Sequence, residues 1–270
     1  VLDTGAPIRG VAVVDDTPPE RGGPRHWRAS YFPVRAGGRA DAEIIAVGVA
    51  AEDVTEQVRA AAARDFLYAL GAVLQSATLA RDPRAIAREG ARLLADQLGA
   101  DRAVWMVRDP DELPGEPPAL VVLAQHVRAG PAIPDDARFP VQDIGDAVVH
   151  EMEDVDPLVV DDVRTHPATA AVAGLFLATG SHAVVSLGLR REGQLVASLS
   201  VTVGAPRRWA PHEVAVVRAA TERLWPALET ARALRAEQRA RARAERLQAF
   251  TAALASSITR DDVVARLVEE

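Results

Sequence analysis

Six side chains have types and positions suited to holding a small molecule: Trp105, Asp143, Asp161, Asp162, His182 and Ser186. The chemistry they offer is binding: an indole to cover an apolar body, carboxylates and an imidazole to take hydrogen bonds, and a strand hydroxyl to orient. A reaction has little support. There is no nucleophile elbow, phosphate loop, paired-histidine zinc helix, or kinase or phosphatase signature. The six histidines, His26, His126, His150, His166, His182 and His212, include no pair at i, i+3 or i+4, so no metal site is expected. The chain has no cysteine, which excludes disulfides, thiolate metal sites, a cysteine nucleophile and thioether attachment of a chromophore.

Each candidate also has a plainer reading. Asp143 has the type and place of a helix N-cap. Asp162-x-x-Thr165 reads either as a loop turn held by local hydrogen bonds or as part of a pocket lining. Asp161 adjoins it after a strand. His182 leads into a core strand, where it is either a structural histidine or a single axial ligand for haem. Trp105 and Ser186, like Ser198, fall on strands, where packing competes with a pocket role.

These residues need elements to carry them. The 270 residues suit about two domains, and 49% hydrophobic residues are enough for real cores. A net charge of -7 argues against nucleic acid as the main partner. "RALRAEQRARARAERLQ", with six arginines and interspersed glutamates, reads as a solvated helical linker. No run approaches the roughly 18 apolar residues that span a bilayer, and the start is not a signal peptide. A cytoplasmic location is expected. The first residue is Val, inside what reads as a finished pattern, so a fragment is expected.

Residues 1 to about 52 read as three strands, with "RHWRASYFPVR" alternating Trp27, Ala29, Tyr31 and Pro33 against Arg28, Ser30, Phe32 and Val34. Asp53 and Glu56 have capping-box spacing for the helix that follows. Val58, Ala62, Phe66, Leu70, Val73 and Ala77 form its apolar stripe. Asp82-Pro83 opens the next helix as N-cap and first-turn proline. Then follow strands at "DRAVWMVRD" and "ALVVLAQHV", a loop at "RAGPAIPDDARFP", and a short helix at "DIGDAVVHEMED". A strand at "PLVVDDV", a helix at "HPATAAVAGLFLATG", a hairpin over Glu192-Gly193 and a long helix from about 211 to 255 complete the order. Val214, Val217, Leu224, Leu228 and Ala231 recur on that helix as a seam compatible with pairing to a twin. The fold class is α+β, with antiparallel sheets flanked by helices and joined by long linker helices.

"HWRASYFPVR" with "AEIIAVGVAAEDVTEQ" resembles the C-terminal half of a PAS domain, closing in Asp-Val-Thr before an exit helix. "VVDDVRTHP" and "HAVVSLGLRREGQLVASLSVTVGAPRRWAPHEVAVVRAATERLWPALETA" resemble a GAF domain. "LQAFTAALASSITRDDVVARLVEE" resembles the opening helices of a second one. The resemblance implies a C-terminal part of a PAS domain over 1–58, a linker helix over 59–80, a GAF domain over 65–232, and a coiled-coil linker with the start of a second GAF domain over 233–270. GAF pockets hold bilins, haem, cyclic nucleotides or small metabolites, or nothing. "FPVQDIGDAV" is similar to the Phe-Pro-x-x-Asp-Ile-Pro stretch of phytochromes at Phe139, Pro140, Asp143 and Ile144, with Gly145 in place of the Pro. The histidine of the later helix would fall at Val172, and "LSVTVGAP" has no strand histidine, so neither bilin nor haem is expected. The cyclic-nucleotide signature is also lacking. A sensory input segment of a larger signalling protein is implied, acting as a homodimer on an unknown small-molecule ligand. The output domain such segments feed is a sensor histidine kinase in a phosphorelay; a PP2C-type phosphatase, a cyclic-di-GMP enzyme and a ligand-free dimerisation scaffold are the alternatives.

Overall fold

The computed structural model describes residues 1–15, 24–38, 41–76, 82–109, 115–135, 137–153 and 157–257. Two antiparallel sheets are present. β1 (Ile8–Asp15), β2 (Arg25–Arg35) and β3 (Ile44–Asp53) form a three-stranded meander in the order β1-β2-β3. The second sheet has six strands: β4 (Arg102–Arg108), β5 (Ala119–Val127), β6 (Arg138–Pro140), β7 (Leu158–Val160), β8 (Ala183–Arg191) and β9 (Gln194–Val203). Their order is β6-β5-β4-β9-β8-β7. The chain is α+β, with antiparallel sheets flanked by helices.

Two helices lie on one face of the large sheet, α2 (Pro83–Leu98) and α6 (Pro211–Ser257), and α1 (Thr55–Gln75) packs against both of them. The other face carries α3 (Val141–Ile144), α4 (Asp146–Glu153), α5 (Ala173–Ala178) and their loops. Strand alternation divides the side chains between the two layers. Ala103 and Trp105 of β4, Val185 of β8, and Leu199 and Val201 of β9 join the helix-side core. Met106 of β4 and Val184 of β8 join the opposite cluster.

Local signals explain the element ends. Asp82 accepts from the Arg84 N–H at 3.0 Å, Pro83 fills the first turn, and Gly99 closes α2 in the left-handed region. Glu192 and Gly193 both have positive φ, as the tight β8–β9 hairpin requires. At the start of α6, the Glu213 carboxylate accepts from the Ala210 N–H at 2.8 Å.

The Asp53–Glu56 capping box is corrected. α1 begins at Thr55, and Asp53 ends β3 and accepts from the Thr55 N–H at 2.9 Å. The Thr55 hydroxyl accepts from the His26 N–H at 2.9 Å, so this turn is spent on tying the helix to β2. Thr55 is the main cause holding the Asp53 carboxyl below its ordinary range. In the α1 stripe Phe66, Leu70 and Val73 are buried, Val58 is exposed, and Ala77 lies outside the described residues. The short helix expected at "DIGDAVVHEMED" is two helices broken at Gly145, whose φ is 97°. Residues 138–140, expected as loop, pair with β5 as β6. α6 runs through Pro226 as one 47-residue helix.

The pairing seam expected on α6 is used within the domain. Val217, Leu224, Leu228 and Ala231 are buried in the helix-side core. Leu224 comes so close to α2 that a Cβ on Gly90 would lie 2.5 Å from its Cδ1. On the other face, a Cβ on Gly188 of β8 would lie 2.5 Å from the backbone carbonyl oxygen of Met152, at the end of α4. A backbone atom cannot swing aside as a side chain can. Gly188→Ala is therefore expected to push α4 off the sheet and cost about 1–3 kcal/mol, the range for overpacking. Urea unfolding measures it, and an unchanged midpoint would contradict this packing.

Candidate functional site

A cavity of about 90 Å³ lies between the large sheet and the α3–α5 layer. Its floor is set by register. Arg102, Thr202 and Val184 form one row across β4, β9 and β8; Val104, Ser200 and Ser186 form the next; Met106, Ser198 and Gly188 the third. Because Ser198, Ser200 and Thr202 alternate along β9, their hydroxyls share the cavity face. Ser186 and Ser200 hydrogen-bond to each other at 2.7 Å. The opposite wall is apolar, with Ile144, Val148, Met152 and Phe176 facing the floor.

Arg102 closes one end and is only 3% exposed. Its Nη1 donates to the carbonyls of Pro131 and Thr179, each at 2.9 Å, and its Nη2 donates to Ser181 Oγ at 2.5 Å. Thr179 Oγ1 donates to the Phe176 carbonyl at 2.8 Å and lies 3.1 Å from Ser181 Oγ. Arg102 Nε is buried without a hydrogen-bond partner. No carboxylate forms an ion pair with this guanidinium among the described residues. Burial pushes its pKa down from the ordinary arginine value, with the charge of Asp101 opposing. Above this end, the Gln125 side-chain amide bonds to both the N–H and the carbonyl of Ile133, holding the covering loop onto β5.

The structure distributes the six sequence candidates widely. Ser186 lines the cavity. Trp105 does not: it sits on the opposite face, fully buried and stacked on Trp225 of α6 with centroids 6.5 Å apart. Asp143 is exposed inside the one-turn α3, which starts at Val141, so Asp143 does not cap it. The Asp161 carboxylate accepts from the Trp209 N–H at 3.3 Å, and its carbonyl accepts from the Arg207 N–H at 3.0 Å, tying the end of β7 to the loop before α6. Asp162 holds a turn, as the plainer reading had it. Its carboxylate accepts from the Arg164 backbone N–H and Nε, each at 3.0 Å, and from Nη2 at 2.7 Å. His182 is half-buried at the entry of β8, with Nδ1 buried and unpartnered, and is not among the residues lining the cavity. Arg102, Ser181, Ser200 and Thr202 were missed. The period-two hydroxyls of β9 were the available signal for two of them.

The sequence profile of the GAF domain matches residues 82–228. That is more than half of the chain, which therefore belongs to the GAF domain family. The chromophore-binding domain of the bacteriophytochrome RpBphP3 from R. palustris is similar in structure, with 15% identity, a TM-score of 0.50, and coverage of 86% of this chain and 76% of that one. JSC1_58120g3 with bound biliverdin IXa, in its far-red absorbing dark state, aligns at 14% identity and TM-score 0.51 over 63% of this chain and 99% of that one. The GAF domain of the Acinetobacter phosphoenolpyruvate-protein phosphotransferase aligns at 11% identity and TM-score 0.49, over 65% and 95%. For the first two, at these identities, the likeness is one of fold. No curated protein matches the sequence.

The residues here do not fit an extended tetrapyrrole. The cavity is well below the roughly 300–1,000 Å³ typical of pockets for larger ligands. The chain also has no cysteine for a thioether link.

The Asp162 turn carries a pH prediction. The Arg164 side chain, then its backbone N–H, holds the Asp162 carboxyl down to about 2. A lowered carboxylate pKa contributes stability above its ordinary value near 3.9, and that contribution is lost as pH falls through about 2. Carboxyl NMR titration of Asp162 is expected to give that low midpoint in the wild type and an upward shift in Arg164→Ala. An ordinary midpoint in the wild type would refute the pairing.

Proposed function

We propose that this chain is a sensory input segment: its GAF cavity takes a small ligand, and α6 carries the result onward. The observation that carries this reading is the placement of the two parts on one sheet. The cavity lies on one face and α6 is rooted in the core of the other, with Trp225 against Trp105 of the same strand that supplies Val104 and Met106 to the cavity. A ligand that favours one arrangement of the sheet shifts the packing of α6 by its differential affinity for the two states.

The signal requires a helix that leaves its domain, and α6 does so. From residue 232 to 253 it is almost entirely exposed. Ala233, Ala236, Ala240, Arg243, Leu247 and Phe250 recur there at alternating intervals of three and four residues, with Leu247 58% and Phe250 63% exposed. That pattern supports a parallel homodimer paired through the distal helix. The N-terminal meander supports a PAS-derived element upstream: it meets α1 through the His26–Thr55 bond and leaves Val13, Val14, Phe32 and Val49 exposed. The opening of a second GAF domain is proposed from Leu247 onward, over the last part of α6 and the residues after it; residues 258–270 lie outside the described structure. A sensor histidine kinase in a phosphorelay is the output proposed, and the cytoplasm the compartment. Among the described residues no helix is long and apolar enough to cross a membrane.

Sedimentation velocity tests the dimer. At tens of micromolar the wild type is expected to sediment as a dimer and the Leu247→Asp/Phe250→Asp double variant as a folded monomer. Both residues are exposed, so the substitutions leave the domain core intact. A monomeric wild type would remove the paired-helix mechanism.

A further inference from the structure

We propose that the GAF cavity recognises a small organic carboxylate with a short apolar body, and that Arg102 pairs with the carboxylate. The inference rests on the reading that this cavity is the ligand site, and names the class of ligand.

The Arg102 guanidinium has hydrogen-bond acceptors but no ion-pair partner among the described residues. Arg102 is buried, and its partners Pro131, Thr179 and Ser181 are all neutral acceptors. Neutral acceptors satisfy N–H groups and leave the ionic charge without a counter-charge in a site poor in water. Asp101, next in the chain, uses its carboxylate to accept from the Gly204 N–H at 2.7 Å and forms no ion pair with Arg102. An arginine has five N–H donors. Three are used by count, and Nε–H, with no acceptor, is one of the two left over. Two free donors on a planar fork suit the two oxygens of a carboxylate, the bidentate pairing arginine favours.

The rest of the cavity selects what the carboxylate is attached to. From the Arg102 end, Thr202, Ser200 and Ser198 run along β9 as hydroxyl donors and acceptors. Facing them are Val148, Met152 and Phe176, which reward an apolar body. A free inorganic ion would leave that wall without a partner. The volume of about 90 Å³ limits the body to a short chain or a single ring. Thr179 and Ser181 end the turn after α5, so an anion that draws on Arg102 also acts on the segment that closes the cavity.

Isothermal titration calorimetry on the whole chain tests this with benzoate and 3-methylbutanoate, against benzamide and 3-methylbutanamide of matching shape. Sodium chloride at equal ionic strength is the ion control. Saturable binding of at least one acid, with its amide weaker by roughly thirtyfold or more, is expected from the loss of a buried charged partner. Arg102→Gln is expected to abolish that preference. Arg102→Lys keeps the charge without the fork and should recover it only in part. The acid–amide comparison uses wild-type protein, so it stands even where a variant does not fold. Equal binding of acid and amide would overturn the carboxylate inference while leaving a ligand-binding cavity. A response to chloride equal to that to benzoate would also overturn it. Binding of neither acids nor amides would overturn it and count against the sensory reading as well; xenon uptake measured by NMR then separates the two, since a cavity that admits xenon remains a site.

Discussion

A six-stranded sheet buried on both faces is the constraint on which the rest of this molecule depends. Each central strand must offer two different surfaces in alternate residues. On β4, Ala103 and Trp105 meet the helices while Arg102, Val104 and Met106 meet the cavity. The helix side is closed by tight apolar contact: Trp105 on Trp225, and Leu224 against Gly90. The cavity side is closed by short helices, two of them meeting at Gly145, and by loops held through the Gln125 amide and the Arg102 guanidinium.

The polar groups follow the same division. Serine and threonine hydroxyls of β9 gather on the cavity face, together with a buried arginine whose hydrogen bonds go to neutral groups. A buried cation without an anion is costly, and a site that keeps one gains most from an anionic partner. Arg102 also joins the start of β4 to the turn after α5 and to the loop at Pro131. The same group that would recognise a carboxylate thus holds two segments of the cover in place.

Local chemistry was legible in the sequence where one residue type forces one geometry. Asp82-Pro83 opened α2, and Glu192-Gly193 turned the β8–β9 hairpin. Questions of which face a side chain takes were less legible. Trp105 belongs to a strand buried on both sides, where hydrophobicity does not separate cavity from helix layer. The α6 seam was read correctly as apolar but for the wrong partner: a stripe at three- and four-residue spacing fits a domain's own core as well as a twin helix, and Leu224 and Leu228 pack on their own sheet. Arg102 was passed over because a charged residue at a strand start ordinarily faces water. Only the convergence of Pro131, Thr179 and Ser181, distant in sequence, encloses it. Asp161 and Asp162 were singled out for chemistry, and their carboxylates are occupied in holding loops.

In the proposed function the cavity and α6 are coupled through the sheet between them. Hydrogen exchange on the wild-type chain, with and without saturating benzoate, tests it most directly. The account predicts slower exchange at Thr179–Ser181 and along β9 from Ser198 to Thr202, together with a change in α6 between Val217 and Leu228. Protection at the cavity with exchange in α6 unaltered would contradict the coupling.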